Sequence, residues 1–112
     1  EYAVVGRGAE LQKQSTAVLC VVYPEARIGG VLQLGVAGRG VRQKMGSFCT
    51  DMNLHGVVRV MTPEGLRGVD MGYQGVCLGH GVFVASGVWI APGRAIEAGR
   101  VLLRPEGSVV LK

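Results

Sequence analysis

LGHGVF-VASGVW-IAPGRA-IEAGRV-LLRPEG, residues 78–107, decides the fold. An aliphatic residue opens every six-residue unit: Leu78, Val84, Ile90, Ile96 and Leu102. A glycine follows three residues later in four of them, at Gly81, Gly87, Gly93 and Gly99, and Pro105 holds that place in the fifth. Equal steps of this kind mark a solenoid that buries the same position each time. A helix is a poor competitor, because each Gly and Pro in a helix interior would cost about 1 and 3 kcal/mol. Period six matches a short strand followed by a turn, with alternate side chains facing in. Val82, Val84, Val88 and Ile90 are then predicted to face inward, and Phe83 and Trp89 outward.

The beat continues upstream more faintly. Val22, Ile28 and Leu34 are six apart; Phe48, Leu54, Val60 and Leu66 resume it two residues out of phase, passing through Gly72. The break falls in GVRQKMGS, so residues 40–47 are expected to project as a loop at one corner. Residues 17–23, AVLCVVY, read as a buried strand. The polar stretch 1–16 is expected to cap the coil, with ELQKQST as a short helix or part of the cap. The expected architecture is all-β, a single β-solenoid domain over 1–112 with about six short coils.

Composition agrees. Gly numbers 19 of 112 residues, far above the usual share of about 7%, while aromatic residues are few. Small side chains suit thin stacked β layers better than a helical bundle. Net charge is +4 and nine of the twelve basic residues are Arg, dispersed along the chain. No interleaving of aromatic and basic residues suggests a nucleic-acid stacking platform. Cys20, Cys49 and Cys77 sit among apolar neighbours, without a CxxC pair. They are expected to be buried free thiols of a reducing compartment. No apolar run reaches the ~18 residues of a membrane span. The chain opens with Glu, which leaves room for a removed leader or upstream domain.

The units of residues 78–101 resemble the hexapeptide repeat of left-handed parallel β-helix proteins. In that family an aliphatic residue followed by a small or acidic one recurs every six residues; Gly79, Ala85, Ala91 and Glu97 fit the second place. Val82 and Val88 fit the fifth, which usually faces inward, whereas Arg94 and Arg100 depart from it. A right-handed β-helix of the bactofilin-like kind is the nearest alternative, followed by an irregular antiparallel sandwich. The resemblance implies three activities: an acyl-CoA-dependent transferase acting as a trimer, a γ-carbonic-anhydrase-like zinc enzyme, or a non-catalytic assembly subunit. Fold alone does not choose among them.

Under the transferase reading His80 is the general base, since neutral imidazole suits proton removal near pH 7. Arg39, Arg42 and Lys44 would then meet the phosphates of coenzyme A. The other reading of His80 is a surface turn residue, and of the three cations a solvated loop. His55 reads as a structural or surface residue. With His55 and His80 the chain has two of the three histidines a carbonic-anhydrase zinc site requires, so no metal site is expected. Outward-facing Phe83 and Trp89 on an aromatic-poor chain suggest a partner surface, the other reading being packing under the N-terminal segment. The function favoured by these residues is a non-catalytic module forming a homo-oligomer or protein complex through its β-helix faces, with no cofactor. The alternative is the acyltransferase.

Overall fold

The computed structural model describes residues 3–50, 59–68 and 75–103, and within them the chain is all-β. It winds as a parallel β-solenoid of about five turns, not six. The first coil contributes β1 (Val4–Val5), β2 (Glu10–Leu11) and β3 (Thr16–Val18). The second adds β4 (Val21–Val22), β5 (Arg27–Ile28) and β6 (Val31–Gln33). The third adds β7 (Val36–Ala37), β8 (Arg42–Gln43) and β9 (Phe48–Cys49). An antiparallel hairpin of β10 (Arg59–Thr62) and β11 (Gly65–Gly68) interrupts the winding. The fourth coil holds β12 (Cys77–Leu78), β13 (Phe83–Val84) and β14 (Trp89–Ile90), and the fifth holds β15 (Ala95–Ile96) and β16 (Val101–Leu102).

Stacking the coils produces three parallel sheets. Sheet A runs β1-β4-β7-β12-β15, sheet B runs β2-β5-β8-β13-β16, and sheet C runs β3-β6-β9-β14. In the strands of coils two to four one residue faces in and its strand neighbours face out. In the regular coil the inward residue is the second: Leu78, Val84 and Ile90 are buried, as are Val82 and Val88 just before their strands. These are the inward residues that the beat predicts. The core they share with Val22, Ile28, Leu32 and Val41 contains no aromatic ring among its buried members.

The recurrent glycine is explained at the corner between sheets A and B. Val82 N–H donates to the Gly79 carbonyl at 3.3 Å, closing a turn whose third residue, Gly81, has φ of 72°. L-residues with a side chain resist that conformation, so glycine recurs at the six-residue spacing. The corners also bond to one another: Gly81 N–H donates to the Arg39 carbonyl at 2.9 Å, and Gly99 N–H to the His80 carbonyl at 2.8 Å.

Upstream the steps shorten, which is why the beat fades there. Register moves 17 residues from Val5 to Val22, 15 from Val22 to Ala37, and 18 from Leu78 to Ile96. The 15-residue coil passes through Gly29–Gly30 without a two-residue turn. A Cβ on Gly30 would meet the Ser47 carbonyl, so only a bare backbone fits this tight corner. The inward residue after Ile28 is therefore Leu32, while Leu34 lies partly exposed at a bend with φ of 49°.

Three expectations are corrected. Residues 40–47 run within the coil: β8 pairs with β5 on one side and β13 on the other, and Gln43 and Ser47 are buried. A hydrogen-bonded strand between two neighbours cannot project. The described excursion is the later hairpin, and it holds Val60 and Leu66, read above as repeat openers. Leu54, His55 and Gly72 lie outside the described residues. ELQKQST is not a helix but carries β2 and the start of β3, so residues 3–16 wind as part of the first coil rather than as a separate cap. Among the described residues no helix is long and apolar enough to cross a membrane.

One turn offers a test of the winding. Gln14 occupies the glycine place of its turn with φ of 66°. Replacing Gln14 by Gly is expected to raise stability by roughly 0.5–1 kcal/mol, as relief of left-handed strain exceeds the added unfolded-state entropy. The midpoint of urea unfolding, at unchanged m, checks this.

Candidate functional site

The fold sorts charge by face. The outward strand residues of sheet A are Val4, Val21, Val36, Cys77 and Ala95. Those of sheet C are Thr16, Val18, Val31, Gln33, Phe48 and Trp89. None is charged. Sheet B instead presents Glu10, Arg27 and Arg42, and Arg7, Glu25 and Arg39 lie at its corner with sheet A. This segregation is invisible in a sequence whose arginines look dispersed. It arises because coil lengths bring charges far apart in the chain onto one wall of the prism.

Trp89 is 69% exposed on sheet C, facing out as predicted. It is held in place rather than loose. Its ring lies 5.0 Å from that of Phe48, tilted by 33°, and Nε1–H donates to Thr50 Oγ1 at 3.2 Å. The parallel register puts Phe48 directly beside Trp89. Sequence reasoning read Phe48 as an inward repeat opener, but Cys49 is the buried residue and Phe48 is half-buried on the outer face. Phe83, one unit before Trp89, is carried by six residues to the adjacent wall. It sits half-buried on sheet B with Lys44 Nζ 5.8 Å above its ring. The two aromatics thus do not form one pair.

His80 occupies the exposed A–B corner as the second residue of its turn. Its Nδ1 accepts the Arg39 backbone N–H at 2.8 Å, and its ring lies 5.8 Å from Tyr23. That contact uses the Nδ1 lone pair and places the proton of a neutral ring on Nε2. Proton abstraction then has no free ring nitrogen to use without tautomer exchange. Among the described residues no ion pair reaches the ring.

Arg39, Arg42 and Lys44 do not converge as a set. Arg39 lines an open groove of about 450 Å³ with Arg7, Pro24 and Glu25. Arg42 and Lys44 instead border a small pocket on sheet B with Arg27. Arg42 stands beside Arg27 in register, a like-charge neighbour pair that costs a fraction of a kcal/mol. The only ion pair among the described residues is Arg27 with Glu10, at 3.7 Å on two exposed side chains.

Inside the coil, Gln43 stands between Ile28 and Val84 where an aliphatic residue would be expected. Its Nε2 donates to the Val31 carbonyl at 2.9 Å and to Cys49 Sγ at 3.7 Å, while Oε1 has no partner among the described residues. Arg94, which departs from the family's fifth position, turns its guanidinium to the Arg59 and Pro92 carbonyls at 2.7 and 3.1 Å. It thereby ties the hairpin to the fifth coil, as does Met61 N–H donating to the Gly93 carbonyl at 2.8 Å. Among the described residues no cluster of three His, Cys, Asp or Glu could hold a metal ion.

The thiols divide by face. Cys20 and Cys49 are buried, but Cys77 is exposed, because it precedes inward Leu78 and so points out of sheet A. Burial pushes the Cys49 thiol up to about 12 and raises that of Cys20. Alkylation at pH 8 is expected to modify Cys77 quickly and the other two only on unfolding, a difference that mass spectrometry resolves. The sign for stability follows: above the unfolded thiol value near 8.5, the unfolded chain loses a proton that folded Cys49 keeps. Its contribution therefore erodes as pH rises from about 9 towards 12.

Comparison with known proteins finds no family model that matches the chain and no curated protein similar to it.

Proposed function

We propose that this chain is a non-catalytic assembly module, a left-handed parallel β-helix that associates with a second copy of itself through sheet C. The observation that carries the reading is Trp89, exposed yet fixed by Phe48 and Thr50 on a wall whose described outward strand residues carry no charge. Aromatic anchors surrounded by uncharged residues are typical of interface centres. Sheet B points the other way in character: its cations and carboxylates favour water, so pairing through sheet C leaves the charged wall solvated. Sheet A is uncharged as well, but the hairpin residues Val60 and Met61 border its Val36, Cys77 and Ala95, and none of its described outward strand residues is an aromatic anchor.

The acyltransferase reading, with His80 as base and coenzyme A phosphates on Arg39, Arg42 and Lys44, has less support. The His80 lone pair at Nδ1 is engaged, and Arg39 faces a different groove from the other two cations. Molecular mass in solution, measured with and without coenzyme A, separates the two. A concentration-dependent oligomer indifferent to coenzyme A supports assembly; a trimer stabilised by coenzyme A supports the transferase.

A further inference from the structure

We propose that Arg27 and Arg42 on sheet B, with Lys44 beside them, form a binding site for a phosphate group. Parallel register sets the two arginines on neighbouring strands, each exposed on the outer face. They line a pocket of about 40 Å³ with Gln12, Gln43 and Lys44, room for one small oxyanion and not for a ring. On the far side Arg27 has Glu10 at 3.7 Å. Arg42 has no such compensation: its other register neighbour is Phe83, and no described carboxylate pairs with Arg42 or Lys44.

Two guanidinium groups held side by side with no anion between them repel one another, and a doubly charged tetrahedral anion placed there reverses that. The planar fork of Arg suits bidentate contact with phosphate oxygens, and Lys adds a point charge. A phosphate monoester carries close to two charges at neutral pH and so matches this cluster better than a single carboxylate. Arg27, Arg42 and Lys44 are all exposed, so whatever bears the phosphate lies in solvent or at a surface. The bearer is either a free small molecule or a lipid headgroup. The site shares no residue with the sheet C wall and stands independently of assembly there.

Inorganic phosphate titrated into the full chain, against sodium chloride at matched ionic strength, tests the site through the NMR shifts of the Arg Nε–H signals. Saturable shifts at Arg27 and Arg42 in phosphate alone are expected. Arg42→Gln should weaken phosphate binding at least tenfold, while Arg67→Gln, on the hairpin, should leave it unchanged. Arg42 is exposed, so its loss should not prevent folding, and Arg42→Lys, which keeps charge but not the fork, should recover only part of the affinity. Cosedimentation with vesicles containing phosphatidic acid identifies the bearer. Vesicle binding that is lost in Arg42→Gln assigns a lipid headgroup, and saturable free-phosphate binding without vesicle binding assigns a soluble ligand. Shifts that are identical in chloride, together with no Arg42-dependent vesicle binding, overturn the proposal.

Discussion

Replacing Trp89 by Glu is expected to disperse the oligomer to monomers while leaving the coil folded. An aromatic anchor at the centre of an interface typically contributes at least about 2 kcal/mol, and Glu would add an unpaired charge to an uncharged wall. The dissociation constant should therefore rise roughly 30-fold or more. Folding should change little. Trp89 is already 69% exposed, and its main intramolecular loss is the Phe48 contact, about 1 kcal/mol. Sedimentation velocity over a range of concentrations reads the mass. The chain contains a single Trp, so its emission reports this wall alone and should shift to the blue as the wild type associates. Val101→Glu supplies the control, because Val101 points out of sheet B and is 59% exposed. A wild type that stays monomeric, or a Trp89 variant with unaltered mass, would remove sheet C as the contact. Persistence of the oligomer in Trp89→Glu with loss in Val21→Glu would move the contact to sheet A and keep the assembly reading.

The second large effect concerns the core. Leu32→Ala is expected to destabilise the fold by roughly 2–5 kcal/mol, from lost burial and the cavity left behind. Leu32 is fully buried between Ala17 below and Cys49 above, both small. A void there has no large neighbour to collapse into it. The loss is a large part of the roughly 5–15 kcal/mol that holds a typical domain together. Met45→Ala, at an exposed turn, should shift stability by no more than about 0.5 kcal/mol. Urea unfolding of both variants tests the contrast. Equal midpoints would mean that Leu32 is not part of the central stack.

Some of this was legible residue by residue. Leu78, Val84 and Ile90 are buried and Trp89 is exposed, because alternation along a strand is a local property. Gly81 and Gly99 close turns, because only glycine takes the required backbone angle without strain. The hairpin was not legible: Val60 and Leu66 keep the six-residue spacing by coincidence in a chain rich in Val and Leu, yet pair antiparallel outside the coil. Phe48 was misread for a related reason. It sits six residues before Leu54 on paper, while the coil's own phase puts Cys49 inward.

The candidate site was legible only as a set of unusual residues. Trp89 stood out by composition, but its partner Phe48 lies 41 residues earlier, across the hairpin. Arg42 was singled out with Arg39 and Lys44 as one basic segment, whereas its neighbour in space is Arg27. His80 was picked for its chemistry, and no sequence pattern could reveal that the Arg39 N–H occupies its Nδ1.

By itself, the sequence determined that the chain winds, and which residues of its regular coils face inward. Both follow from strand alternation and turn geometry within six residues. Only the tertiary structure decided which outward residues share a wall. That assignment depends on coil lengths of 17, 15 and 18 residues, set by corners as tight as Gly29–Gly30. A change of one or two residues at a corner rotates every later side chain to another position around the prism. The separation of a charged sheet B from uncharged sheets A and C, on which both proposed sites rest, is the summed result of those corners.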